Sequence, residues 1–239
     1  MDVQILQLIE GAEDASGLTV IIDVFRAFST SCYAYGKGAE KIIPVGEIEK
    51  AYMLKQNNPE YILMGERNER KPTGFDYGNS PTHISEVNFV GKTIVHTTSS
   101  GTQGISAALQ ADEIITGSFV NADAIIKYIR SRNPETVSLV CMGYACEYAT
   151  DEDTLCAEYI RNELQGLEND FERMKRIIRK GSGERFFDPA KQEWAPSTDF
   201  DLCLKRNIFD FVLKVENDGS NNYLKKVQIS EKVNVTTDL

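Results

Sequence analysis

Thr19-Val20-Ile21-Ile22-Asp23-Val24-Phe25-Arg26 sets a short run of β-formers in front of an acid and a guanidinium group, and a second version follows at Thr93-Ile94-Val95-His96-Thr97-Thr98-Ser99-Ser100-Gly101-Thr102. What comes after each also recurs. The first leads through a helix-compatible stretch to Ala39-Glu40-Lys41-Ile42-Ile43, a helical run from Glu47, and Asn58-Pro59-Glu60 before Tyr61-Ile62-Leu63-Met64. The second leads through a small-residue helix to Ala111-Asp112-Glu113-Ile114-Ile115, a helix from Asn121, and Asn133-Pro134-Glu135 before Val137-Ser138-Leu139-Val140. Two β-α-β-α-β halves, residues 17–68 and 91–144, with both short patterns in the same order, predict an internal duplication. Strands alternating with helices predict an α/β fold with three α/β/α layers and a largely parallel or mixed sheet, which binds ligands at the carboxyl ends of its strands.

Residues 166–239 read as additions to that same domain, 1–239, because no linker separates them. Glu168 to Lys180 has the pattern of a charged amphipathic helix, stopped by Gly181-Ser182-Gly183. After a polar stretch with Pro189 and Pro196 come the apolar run Ile208 to Leu213, a turn over Asn217 to Asn222, and a weakly alternating tail that predicts an edge strand. Phe186, Phe187 and Trp194 read as exposed aromatics and point to a homodimer formed through this region.

The formal net charge is −10, with no basic stripe, which argues against nucleic acid or an anionic membrane as partner and leaves a small anion bound by a local arginine cluster. Met1-Asp2-Val3-Gln4 lacks the basic start of a leader, and no segment approaches the ~20 apolar residues of a membrane-spanning helix, so a cytoplasmic protein is expected. Five cysteines without a CxxC pair read as free, mostly buried thiols. Three phosphate chemistries are disfavoured by single residues. A cysteine-phosphatase loop from Cys141 needs arginine where Glu147 stands, and Gly91-Lys92-Thr93 precedes a strand and lacks the first P-loop glycine, whose place Glu86 takes. Asp23-Val24-Phe25-Arg26 lacks the second aspartate of haloacid-dehalogenase phosphatases.

The polar residues at the predicted strand ends carry the chemistry. Asp23, Glu66, Asp76, Glu152 and Asp153, with no histidine beside them, favour a hard cation held through oxygen, and Mg²⁺ fits best, with Asp23, Glu66, Asp76 and Asp153 as its candidate ligands. Arg26 and Arg67 supply forked donors for phosphate, and Thr98-Ser99-Ser100-Gly101-Thr102 reads as an anion nest. Ser29, Thr30, Asn79, Ser80 and Asn121 complete the candidate substrate contacts. Together they describe phosphoryl transfer to water, with Asp153 preferred over Glu152 as the base. Plainer roles stand beside these: Asp23 as a helix cap, Arg67 paired with Glu66 or Glu69, His96 as a satisfied buried side chain, and His83 at the surface.

At these same residues the chain resembles the 2-phosphosulfolactate phosphatase family. The matching pieces are Asp23-Val24-Phe25-Arg26-Ala27 with Ser29-Thr30, Gly65-Glu66-Arg67, Gly74-Phe75-Asp76-Tyr77-Gly78-Asn79-Ser80-Pro81, Thr97 to Thr102, and Asp151-Glu152-Asp153 with Cys156-Ala157. The resemblance implies a magnesium-dependent phosphatase that converts 2-phospho-3-sulfolactate to 3-sulfolactate and phosphate, a step of coenzyme M synthesis. Ser100 and Phe28 depart from its usual pattern. An isomerase or lyase acting on a phosphorylated hydroxy acid, or a non-catalytic anion-binding module, is the alternative.

Overall fold

The computed structural model describes residues 1–229. The last ten positions of the expected C-terminal additions, 230–239, lie outside the described residues. The elements in chain order are β1 (Asp2–Gln7), α1 (Leu8–Glu13), β2 (Gly17–Ile22), α2 (Ala27–Gly36), β3 (Lys41–Pro44), α3 (Ile48–Asn57) and β4 (Ile62–Gly65). There follow β5 (Thr93–Thr97), α4 (Gly101–Ala107), β6 (Ala111–Gly117), α5 (Ala122–Arg132), β7 (Thr136–Cys141), α6 (Asp151–Gln165), α7 (Phe171–Lys180), α8 (Ser197–Cys203), β8 (Phe211–Asn217) and β9 (Asn222–Gln228). Helix ends follow local chemistry. The Asp170 carboxylate accepts from Arg173 N–H to start α7, while Asn133 and Gly166 take left-handed conformations (φ 46° and 74°) that close α5 and α6.

Among the described residues the nine strands belong to one mixed sheet in the order β1-β7-β2-β6-β8-β9-β3-β5-β4. Helices cover both faces, giving the expected α/β/α layers. On β2, Leu18, Val20 and Ile22 face the cluster built by α5, α6, Phe186 and Phe200, whereas Ile21 joins Ala12, Phe28 and Ile105 of α1, α2 and α4. Burial on both sides is why this strand reads as an uninterrupted apolar run. A third cluster packs Ala51 and Leu54 of α3 on Ile43, Leu63 and Val95.

The strand-helix-strand-helix-strand order does occur twice, but the two runs do not fold as separate halves. β2, from the first run, lies between β6 and β7 of the second, and β5, from the second, lies between β3 and β4 of the first, all in parallel. Two parallel blocks result, each with a borrowed central strand. The expected C-terminal edge strand is also corrected: β9 is interior. With β8 it forms an antiparallel hairpin, turning over Asn217 to Asn222, that fills the gap between β6 and β3. Its apolar residues Phe211, Val212, Leu213 and Leu224 are buried, which only an interior position provides.

Phe186 and Trp194 are not surface aromatics either. Phe186 is fully buried against Phe25, and Phe187 and Trp194 pack against the same core cluster, so the basis for a dimer through them is withdrawn. Burial also explains the thiols: all five cysteines are free and only Cys146 is partly exposed.

Candidate active site

The carboxyl ends of β2, β4, β5 and β7 converge on a small cavity of about 50 Å³ lined by Asp23, Arg26, Glu66, Asn79, Ser99 and Ser100 from the sequence-derived set. Asn68, Glu69, Tyr144 and Arg185 line it as well. Topology accounts for the meeting. Parallel strands point the same way, so loops far apart in sequence emerge at one edge.

Asp23 directly follows β2. Its Oδ1 accepts from the N–H of Ala27, the first residue of α2, at 3.0 Å, and its Oδ2 accepts from Gly101 N–H at 2.9 Å. Glu66 follows β4, with Oε1 accepting from Ser99 N–H at 2.6 Å and Oε2 from Ser99 Oγ and Glu69 N–H. The stretch expected to cradle a substrate anion is therefore filled by the protein's own acids. Its remaining members close on each other: Thr98 N–H donates to Thr102 Oγ1, and Thr102 N–H to Thr98 Oγ1. Gly101 is required by this approach, because a Cβ there would stand 2.9 Å from Asp23 Oδ2.

Burial pushes the Asp23 carboxyl up to about 7, against the lowering effect of the Ala27 and Gly101 N–H groups and with a further push from Glu66 and Glu152. Asp153 is raised well above the carboxylate range, first by burial and then by Glu152 and Asp23. It does not line the cavity. Its Oδ1 accepts from Val24 N–H at 2.8 Å and its Oδ2 from Gly143 N–H at 2.9 Å, so it ties the loops after β2 and β7 together. Glu152 is buried, also raised by burial, and its Oε2 lacks a partner.

Arg26 lines the cavity while its Nη1 donates to Asp199 Oδ2 and to the Trp194 carbonyl, both at 2.7 Å. Asp199 is fully buried and also accepts from Ser80 Oγ, Thr82 N–H and Thr82 Oγ1. One carboxylate on α8 thus joins the loop after β2 to the Asn79-Ser80 loop. Arg67 is turned away, donating to the carbonyls of Glu66 and Gly46 and to Thr97 Oγ1.

Several sequence-derived residues are not brought to the cavity. Asp76 sits at the surface, accepting from Leu63 N–H at 2.8 Å and pairing with Lys55, so it organises the loop beside β4 and is not placed with the other acids. Ser29 bonds Ser118 and the Val24 carbonyl, the buried Thr30 hydroxyl has no hydrogen-bond partner, and Asn121 Nδ2 donates to the Phe211 carbonyl. His96 is buried between Ser31 and Asn79, and His83 is exposed.

Arg185 and Asp199 went unnoticed in the sequence, and Glu69 was not expected at the cavity. Arg185 lies in a short 3-10 turn (Glu184–Phe187) of the polar stretch, where no periodicity marks it, and its Nη1 pairs with Glu69 Oε1 at 3.1 Å. Glu69 did appear there, only as a salt-bridge partner for Arg67.

For a hard cation, the donor chemistry fits. Asp23 and Glu66 line one cavity, each already oriented by N–H groups but with oxygen lone pairs left over, and no histidine or thiolate competes, burial having pushed the Cys146 thiol up to about 12. Among the described residues no group of three or more histidines, cysteines or acids could hold an ion alone. The pair thus suits an ion that shares its coordination with water and substrate.

Fold and site together define an α/β protein with acids and guanidinium groups at the strand ends. A family model described as 2-phosphosulpholactate phosphatase matches residues 3–218, so the chain belongs to that family and is a phosphatase by that membership. A Bacillus subtilis protein named "Probable 2-phosphosulfolactate phosphatase" is 32% identical over 216 residues, covering 89% of this chain and 92% of its own. Proteins of the same name from Caldanaerobacter subterraneus (34% identity, 83% and 87% covered) and Clostridium perfringens strain SM101 (31%, 91% and 92%) are similarly related.

Proposed function

We propose that the protein is a Mg²⁺-dependent phosphatase that hydrolyses 2-phospho-3-sulfolactate to 3-sulfolactate and inorganic phosphate, the reaction named for its relatives and a step of coenzyme M synthesis. One observation carries this reading: two oriented carboxylates, Asp23 and Glu66, share a cavity with two guanidinium groups, Arg26 and Arg185. Acids alone would repel a phosphate ester, and arginines alone would bind it without activating water.

Asp23 and Glu66 would hold the cation. When bound, it supplies charge neutralisation at the phosphoryl oxygens and acidifies a water molecule. Arg26, anchored by Asp199, presents its remaining donors to the phosphoryl oxygens, where charge builds as water attacks in line and the bond from phosphorus to the C2 oxygen breaks. The attacking water gives up its proton to solvent, Asp23 and Glu66 being the groups that would be engaged with the cation. The departing C2 oxygen takes up a proton from solvent water and leaves as the hydroxyl of the sulfolactate. Asp153 serves as a support for the Asp23 loop and not as the base, because it does not line the cavity and its oxygens tie Val24 to Gly143.

The test is phosphate release from 2-phospho-3-sulfolactate, with Mg²⁺ and then with EDTA. Magnesium-dependent release supports the reading. A changed substrate without phosphate release would replace it with an isomerase or lyase, and saturable binding without turnover would replace it with a binding module.

A further inference from the structure

The cavity holding Asp23 and Glu66 is too small for a phosphate ester carrying a second bulky anion, and it adjoins a larger cavity of about 630 Å³. Arg185, Glu69 and Tyr144 line both. Arg185 is the cation at the junction. It reaches there from the C-terminal third, with Nη2 donating to the Phe25 carbonyl at 3.1 Å, its guanidinium 5.4 Å from the Tyr144 ring centroid and 5.2 Å from that of Phe186. Nη1 pairs with Glu69. Both partners of that ion pair are about 16% exposed, so water and solutes reach it, unlike the buried Arg26–Asp199 pair.

The contrast separates two jobs. Arg26 is held at 2.7 Å by a fully buried acid and cannot exchange partners cheaply. Arg185 has a partner on a loop, where Asn68 and Glu69 both carry left-handed backbones (φ 52° and 67°). An incoming carboxylate or sulfonate has the charge and the forked oxygens that Glu69 presents to Arg185. Of the hydroxyls expected among the substrate contacts, three are turned to protein partners: Ser29 to Ser118, Ser80 to Asp199, Thr98 to Thr102.

We propose that Arg185 is the specificity-determining residue that binds the substrate's second acidic group, at the junction of the two cavities, and that Glu69 occupies it as a stand-in anion until substrate displaces it. The substrate class is then a phosphate monoester with a sulfonate or carboxylate close to the ester carbon. A monoester lacking that group leaves the Arg185–Glu69 pair intact and forfeits the contact. This inference rests on the phosphatase reading, and the experiment includes a binding arm that does not.

The experiment compares wild type, Arg185→Met and Glu69→Gln. Its kinetic arm measures kcat/KM for 2-phospho-3-sulfolactate and for p-nitrophenyl phosphate, and its binding arm titrates 3-sulfolactate into each protein by calorimetry. Arg185→Met is expected to lower the ratio of the two kcat/KM values at least tenfold, chiefly through KM for the sulfonated ester, and to weaken 3-sulfolactate binding by a similar factor. Glu69→Gln removes the competing charge and is expected to tighten 3-sulfolactate binding several-fold, a gain that a misfolded variant cannot mimic. Equal losses on both esters in Arg185→Met, or weaker binding in Glu69→Gln, overturn the proposal. So does a wild-type protein that fails to bind 3-sulfolactate. If wild type releases no phosphate from either ester yet binds 3-sulfolactate through Arg185, the phosphatase reading falls and the anion site stands.

Discussion

Replacing Asp199 with alanine should cost the protein about 3–5 kcal/mol, a large share of the roughly 5–15 kcal/mol that holds a typical domain folded. The figure follows from what the carboxylate does. It is fully buried, faces an Arg26 side chain that is only 5% exposed, and accepts from Arg26, Ser80 and Thr82. Its loss strands a guanidinium charge with one remaining acceptor, the Trp194 carbonyl, which places the cost toward the lower end. Urea unfolding followed by circular dichroism reads the effect, as a fall in midpoint of about 1–2 M for a slope of roughly 2–3 kcal/mol per molar. The informative companion is Arg26→Met with Asp199→Leu. Removing both charges removes the stranded cation, so the double variant should regain most of the lost stability while remaining inactive, since Arg26 lines the cavity. A single variant that loses less than about 1 kcal/mol, or a double variant no more stable than the single one, would refute the reasoning.

Asp23→Asn should lower phosphate release by at least about a thousandfold in a folded protein; near-normal turnover would remove Asp23 from the mechanism. Gly101→Ala pushes a Cβ to 2.9 Å from Asp23 Oδ2 and into Ala27 and Phe28, so activity should fall together with about 1–3 kcal/mol of stability, measured by urea unfolding. His96 is kept neutral by burial, with the Arg67 charge adding to the effect, and its pKa falls from 6.5 to about 3. The unfolded chain therefore takes up a proton at this residue that the folded chain refuses, so its contribution to stability is complete above about pH 6.5 and drains away as pH falls toward 3. Between about pH 7 and about pH 4.5 wild type should lose about 2–3 kcal/mol that His96→Asn does not, and parallel stability curves for the two would show that His96 is not kept neutral.

The sequence was most readable where burial enforces a pattern. β2 and β5 lie between neighbours and under helices on both faces, so their apolar runs admit no other place, and the acid or hydroxyls that end each run had to lie at the sheet's carboxyl edge, where Glu66 also falls after the parallel edge strand β4. That brought Asp23, Glu66, Ser99 and Ser100 to one cavity from sequence alone. Strand order was not legible, because β2 and β5 satisfy the same alternation whether they pair within their own run or exchange between runs. β9 alternates only weakly, with Leu224 alone fully buried, and so resembled an edge. Side-chain direction was hidden too. Asp76 and Asp153 look equivalent to Asp23 in a string of letters, but one caps Leu63 N–H at the surface and the other bridges Val24 and Gly143. Arg185 belongs to a stretch whose position depends on packing Phe186 into a core that draws on residues from Leu18 to Val212, among them Phe25 against its ring.

The hairpin that completes the sheet has a bearing on how the protein is made. The strands on either side of it, β6 and β3, are finished by residue 117, yet they face the gap with unpaired backbone groups until residues 211–228 arrive. On a ribosome, the chain would spend much of its synthesis with two open sheet edges pointing at each other and at neighbouring chains, the arrangement from which strand-to-strand aggregation grows. A chain interrupted before β8 would keep all of its cavity-lining residues and lose the two strands that join the blocks bearing Asp23 and Glu66. Premature termination close to the end would therefore be punished first by the cell's quality control and only second by loss of catalysis.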